Sequence, residues 1–168
     1  AVAGGRLSAV GSSSLQSGDF SLDVEANFDS LTELGESLGL LGLRGGLELR
    51  SALAGNWKEG ISSAIRSSGQ LQAAAIAQDQ RRCEHLEGSW DLEFGFGAEQ
   101  ISVVGNSDLL AKRLLVPGLP PLSWASLKVL GKGSLADVEV RAGDGPELIV
   151  AVATELDWRR SPILSLRG

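Results

Sequence analysis

The chain has 168 residues, of which 43% are hydrophobic, 21% charged and 5% aromatic, a balance that excludes disorder and collagen-like repetition and leaves length for one sizeable core or two small ones. Its 15 basic and 21 acidic residues leave a formal charge of −6, so its field repels a phosphate backbone and nucleic acid is not an expected partner. One cysteine, Cys83, and one histidine, His85, exclude an intrachain disulfide framework and a Cys/His zinc cage, and no cofactor is expected.

Residues 1–19 form an N-terminal segment that reads as the start of a strand. Phe20-Ser-Leu22-Asp-Val24-Glu-Ala26-Asn-Phe28 then alternates apolar and polar, the period of a strand with one dry face and one wet face. Ser30 and Glu33 have capping-box spacing, and Leu31, Leu34, Leu38 and Leu41 follow at helical intervals, which predicts a short amphipathic helix ending near Gly42. Leu47 to Leu53 alternates again between the turn-forming pairs Gly45-Gly46 and Gly55-Asn56.

Residues 61–82 are rich in Ser, Ala and Gln, with Ile61, Ile65, Leu71 and Ile76 as their large aliphatics. Gly69 interrupts any helix there and favours strand over 69–77. Leu86, Gly88, Trp90, Leu92, Phe94 and Phe96 fall on one side of an alternating run that ends at Gly95-Phe96-Gly97, with Ile101 to Val104 as its hairpin partner. Asn106-Ser107-Asp108 has the composition of a cap for a second short helix carrying Leu109, Leu110 and Leu114 before Pro117 stops it. Strands are predicted over Leu122–Leu130, Leu135–Arg141, Leu148–Trp158 and Ile163–Leu166, with a hairpin turn at Gly143-Asp144-Gly145-Pro146.

The expected fold is mainly β, an antiparallel sheet with two short amphipathic helices, as one domain over residues 20–168. An internal repeat is suggested by superposing the two helical regions, about 28–60 and 106–140. At an offset of 76, Leu34, Leu38, Gly42 and Leu43 fall on Leu110, Leu114, Gly118 and Leu119. No apolar run approaches the roughly 18 to 20 residues of a membrane helix. The start Ala1-Val2-Ala3-Gly4-Gly5 lacks an intact signal peptide, so a processed protein or a piece of a longer one is expected, with any anchor outside it.

Motifs with chemistry are few, and the expectation is that the chain is not an enzyme. Cys83-Glu84-His85 joins a nucleophile, a carboxylate and an imidazole, but alternation in a strand turns Glu84 away from the other two, and no orienting group accompanies them. Gly131-Lys132-Gly133-Ser134 fails the phosphate-loop pattern, since Ser126 and Gly133 stand where a glycine and a Ser or Thr are needed, and it reads as a turn. Gly88-Ser89-Trp90 has the Gly-x-Trp spacing of the first strand of lipocalin-like barrels, while Trp57, Trp90, Trp124 and Trp158 also read as plain core or groove lining.

The stretches FDSLTELGESLGLLGLRGGLELRSALAG and SDLLAKRLLVPGLPPLSWASLKVLGKGSL, with the closing LIVAVATELDWRRSPILSLRG, resemble the AsmA and TamB superfamily of extracytoplasmic β-repeat proteins, whose relatives include the type II secretion N protein. That resemblance implies a long, curved antiparallel sheet whose concave apolar face shields acyl chains, or a periplasmic domain beside a secretion channel. It places the chain in the periplasm or another extracytoplasmic space, with an organelle after transit-peptide removal as the alternative. The partner would be a lipid or another envelope protein.

From the residues themselves, Phe20, Leu22, Val24, Leu47, Leu49, Trp90, Leu92 and Phe94 form an apolar stripe that a second sheet, a helix or a lipid must cover. Asp23, Glu25, Glu48, Arg50, Asp91 and Glu93 form the solvated opposite face. Besides lipid transport or envelope biogenesis, two functions stay open: a structural accessory subunit that docks its sheet edges in a large assembly, and a lipocalin-like binder of a small hydrophobe around Trp90.

Overall fold

The computed structural model describes residues 5–58, 64–96, 101–157 and 165–167. Ile61, Gly97, Trp158 and Ile163, named above, lie outside the described residues. The elements run β1 (Gly5–Ser13), β2 (Asp19–Phe28), α1 (Thr32–Ser37), β3 (Leu43–Gly45), β4 (Leu47–Asn56), β5 (Ala64–Ala73), β6 (Ile76–Gln78), β7 (Arg81–Phe96), β8 (Ile101–Leu115), β9 (Leu122–Gly133), β10 (Leu135–Asp144), β11 (Glu147–Asp157) and β12 (Ser165–Arg167).

All strands belong to one open antiparallel sheet, in the order β1-β2-β4-β5-β7-β8-β9-β10-β11-β12. Chain order and spatial order coincide, so the molecule is a meander of hairpins. β3 and β6 continue the β4–β5 ladder outward, with β6 also paired to β7. Between the pairs Glu48↔Gln72 and Gly45↔Ile76 one strand spends three residues and the other four, which makes a β-bulge around Gly46 and Ala74-Ala75.

The expectation of a mainly β antiparallel sheet holds, and the alternating runs at 20–28, 47–53 and 86–96 are strands throughout. The second helix does not form. Asn106 to Leu115 lie within β8, paired along one side to β7 and along the other to β9. Two ladders on the same segment outweigh the helix propensity of its Leu, Ala, Lys and Arg residues, a tertiary override of a weak local preference. The two segments superposed at the offset of 76 therefore differ in secondary structure. The first helix forms but is short, and its N-cap residue, Leu31, makes no side-chain hydrogen bond; the Ser30 hydroxyl donates to Thr32 Oγ1 at 3.2 Å and accepts from the Thr32 N–H at 3.4 Å.

α1 is anchored by Leu31, which is 3% exposed and donates its N–H to the Gly45 carbonyl at 2.8 Å. Gly35 sits so close to Leu43 that a Cβ there would lie 2.7 Å from the Leu43 Cβ. Leu43 pairs with Gln78 and Gln78 with Arg81, which puts them on the side of the sheet opposite Arg82 and Leu86. The helix thus rests on the face away from the apolar stripe.

Nothing else forms a second layer among the described residues. Among the described residues no large side chain is fully buried, and five of the eight buried hydrophobic residues are alanines, Ala26, Ala73, Ala111, Ala136 and Ala142. Packing runs between strand neighbours, with α1 touching β3.

Candidate functional site

Directly paired residues of an antiparallel ladder point to the same side, so the register assigns every side chain to a face. One row crosses nine strands as Leu7, Ala26, Leu49, Leu71, Gly88, Leu109, Leu127, Val140 and Val152. The next row on that face carries Val24, Ser51, Gly69, Trp90, Ser107, Val129, Val138 and Thr154. Alternation puts Phe20, Leu22, Val24, Leu47, Leu49, Trp90, Leu92 and Phe94 on this same face, where each is half-buried, neither core nor free. The residues of β8 to β11 that extend the face, Leu109, Leu127, Val138, Val140 and Val152, were not in the stripe read from the sequence. In β8 the leucine spacing predicts a helix, and in β9 to β11 only the register connects these residues to Trp90.

Trp90 is held at the centre of this face. Its indole N–H donates to Ser67 Oγ at 2.9 Å, on the neighbouring strand. The ring lies over Gly69, where a Cβ would collide with the indole and come within 2.5 Å of the Arg50 carbonyl oxygen. Phe20 lies in the same way across Gly55, whose Cβ would stand 2.9 Å from the ring. Large rings thus roof glycines of adjacent strands and smooth the surface.

The other face is charged and paired across strands. Ser8, Glu25, Arg50, Gln70, Ser89, Asp108, Lys128 and Glu139 form one transverse row. Within it Arg50 meets Glu25 at 3.6 Å and Lys128 meets Asp108 at 3.8 Å. Asp23, Glu25, Glu48, Arg50, Asp91 and Glu93 are all exposed there, as expected of a solvated face. Depressions lie on this polar side too, among them one of about 580 Å³ walled by Arg6, Glu25, Asn27, Glu48 and Arg50.

Cys83, Glu84 and His85 do not assemble into a reactive group. The Cys83 thiol donates to the His85 carbonyl at 3.3 Å, while the His85 imidazole faces Glu87 Oε2 at 3.3 Å. Glu84 turns to the other side, as alternation requires, and takes a hydrogen bond from Arg113 at 2.8 Å with Arg82 at 3.5 Å. The Arg113 hydrogen bond holds the Glu84 carboxyl below the usual carboxylate range, with desolvation opposing it. Among the described residues, no cluster of His, Cys, Asp and Glu is arranged to hold a metal.

The apolar face changes character at one end. Along β2, β4, β5, β7, β8 and β9 its positions carry no charge until the α1 end of the strands, where Arg82, Glu84 and Arg113 occupy it. Arg44 joins them laterally, since Arg44 pairs with Ala77 and Ala77 with Arg82. Sequence pattern alone does not single these residues out, because an arginine at a strand end looks like any solvated charge.

The chain matches no family model, no curated protein and no solved structure. No described helix is long and apolar enough to cross a membrane.

Proposed function

We propose that this chain is a non-enzymatic, extracytoplasmic β-domain that shields acyl chains on its apolar face, as part of a lipid-transport or envelope-biogenesis protein of the AsmA and TamB kind. The observation that carries this is the bare face: a sheet surface rich in Leu, Val, Phe and Trp with no second layer over it among the described residues and a helix placed on the opposite side. An apolar surface of this extent in water calls for an occupant. The lipocalin-like alternative loses support, because the sheet does not close and Trp90 lies flat against Gly69 and Ser67 with no barrel interior to line.

The accessory-subunit alternative keeps one observation in its favour. β1 is an edge strand whose residues are exposed from Arg6 to Ser13, free of proline, and charged only at Arg6, so it offers a template for strand addition by a neighbour.

Native mass spectrometry with lipid extraction separates these. The wild type is expected to carry acyl species, and Leu92→Asp, which puts a charge on the face, to lose them while keeping a β-type circular dichroism spectrum. Wild-type protein free of lipid and seated face to face as a dimer would overturn the proposal. Lipid-free monomer that assembles only through β1 would favour the subunit role.

A further inference from the structure

Resting on the lipid reading above, the geometry points to a ligand of one class: a long-chain amphiphile with an anionic headgroup, bound with its chain along the apolar face and its headgroup at the α1 end. The inference starts from where charge is absent. From β2 to β9 the apolar face is uncharged along the length of its strands, and the charges that interrupt it are Arg44, Arg82, Glu84 and Arg113, all at the same end.

Three guanidiniums against one carboxylate leave an excess of positive charge there, in a protein whose formal charge is −6. Glu84 bridges Arg82 and Arg113 and holds both on adjacent strands. Arg44 lies two strands from Arg82, about 10 Å at the usual strand spacing. The three thus share one end of the apolar face, with guanidinium forks suited to a carboxylate or phosphate. Directly inward, Leu86 and Ala111 pair with each other and begin the apolar surface. Leu115, paired with Arg82 and half-exposed, borders the cluster on the outer side.

The function of such an arrangement is orientation. Apolar surface alone accepts a chain in either direction, and a cationic end fixes which way it lies. It also discriminates: a neutral amphiphile gains the chain contacts only, while an anionic one adds charge-assisted hydrogen bonds.

The test is a binding titration, followed by native mass spectrometry, with two amphiphiles that share an oleoyl chain: lysophosphatidic acid and monooleoylglycerol. The wild type is expected to bind the anionic one about tenfold more tightly. Arg82→Gln/Arg113→Gln should bring the two ligands level without changing affinity for monooleoylglycerol. Glu84→Gln, which frees both guanidiniums and is mild to the fold, should widen the preference about two- to fivefold. Glycerol 3-phosphate, the headgroup without a chain, should not compete at millimolar concentration.

Equal binding of both amphiphiles, unmoved by either variant, would overturn the headgroup assignment and leave the lipid reading standing. Binding of neither would remove both. Competition by glycerol 3-phosphate would make the arginines a free-anion site and overturn the amphiphile.

Discussion

Trp90 and Gly69 show how single residues make the surface of this sheet. The indole needs a flat seat and a hydrogen-bond acceptor, and the strand beside it supplies Gly69 for one and Ser67 for the other. Replacing Gly69 by Val inserts atoms where the ring and the Arg50 carbonyl already sit. The expected result is a loss of about 1 to 3 kcal/mol in urea unfolding, with a shift of tryptophan emission as the indole lifts into water. An unshifted spectrum with wild-type stability would show that the ring is not seated there. The sequence marked Trp90 as apolar-facing, because alternation is local. It gave Gly69 a different role, as a helix breaker, because its pairing with Trp90 is a tertiary fact 21 positions away.

At the scale of the element, α1 and β8 carry opposite lessons. Both began as leucine patterns at helical intervals. α1 stays helical because it is an excursion from the sheet, held by Leu31 and by the close approach of Gly35 to Leu43. β8 is drawn into strand because β7 and β9 offer it ladders on both sides. Local periodicity does not contain the position of those neighbours, so the same evidence was right once and wrong once. The capping box was a poorer guide to α1 than burial. Leu31→Ala is expected to cost about 2 to 4 kcal/mol by chemical denaturation, since it empties a closed site. Ser30→Ala, which removes an exposed hydroxyl bonded to Thr32, should stay within about 0.5 kcal/mol. The reverse ranking would mean that the helix is held by its cap.

For the molecule as a whole, the alternating strands told that one face must be covered, but not by what. A sandwich, a closed barrel and an open sheet share that pattern, and the difference lies in the register and in the absence of a second layer among the described residues. The arginines at the α1 end belong to the same scale, since Arg44, Arg82 and Arg113 meet only through the pairing of β3, β6, β7 and β8. An open sheet held by its neighbours should also be unevenly stable. Hydrogen exchange should be slowest in β7 and β8, at the middle of the path, and fastest in the outward amides of edge strand β1. Uniform protection across all strands would indicate a cover over the sheet and its edges.

The agreement between chain order and strand order has a consequence in time. Along the main path each strand from β2 onward finds its template in the part of the chain that precedes it; β3 alone waits for a later segment, β6. Contacts close over short loops, which makes the entropy of closure small and the search quick. As the polypeptide emerges during synthesis the sheet can grow one hairpin at a time from β1, its newest strand always serving as the edge for the next.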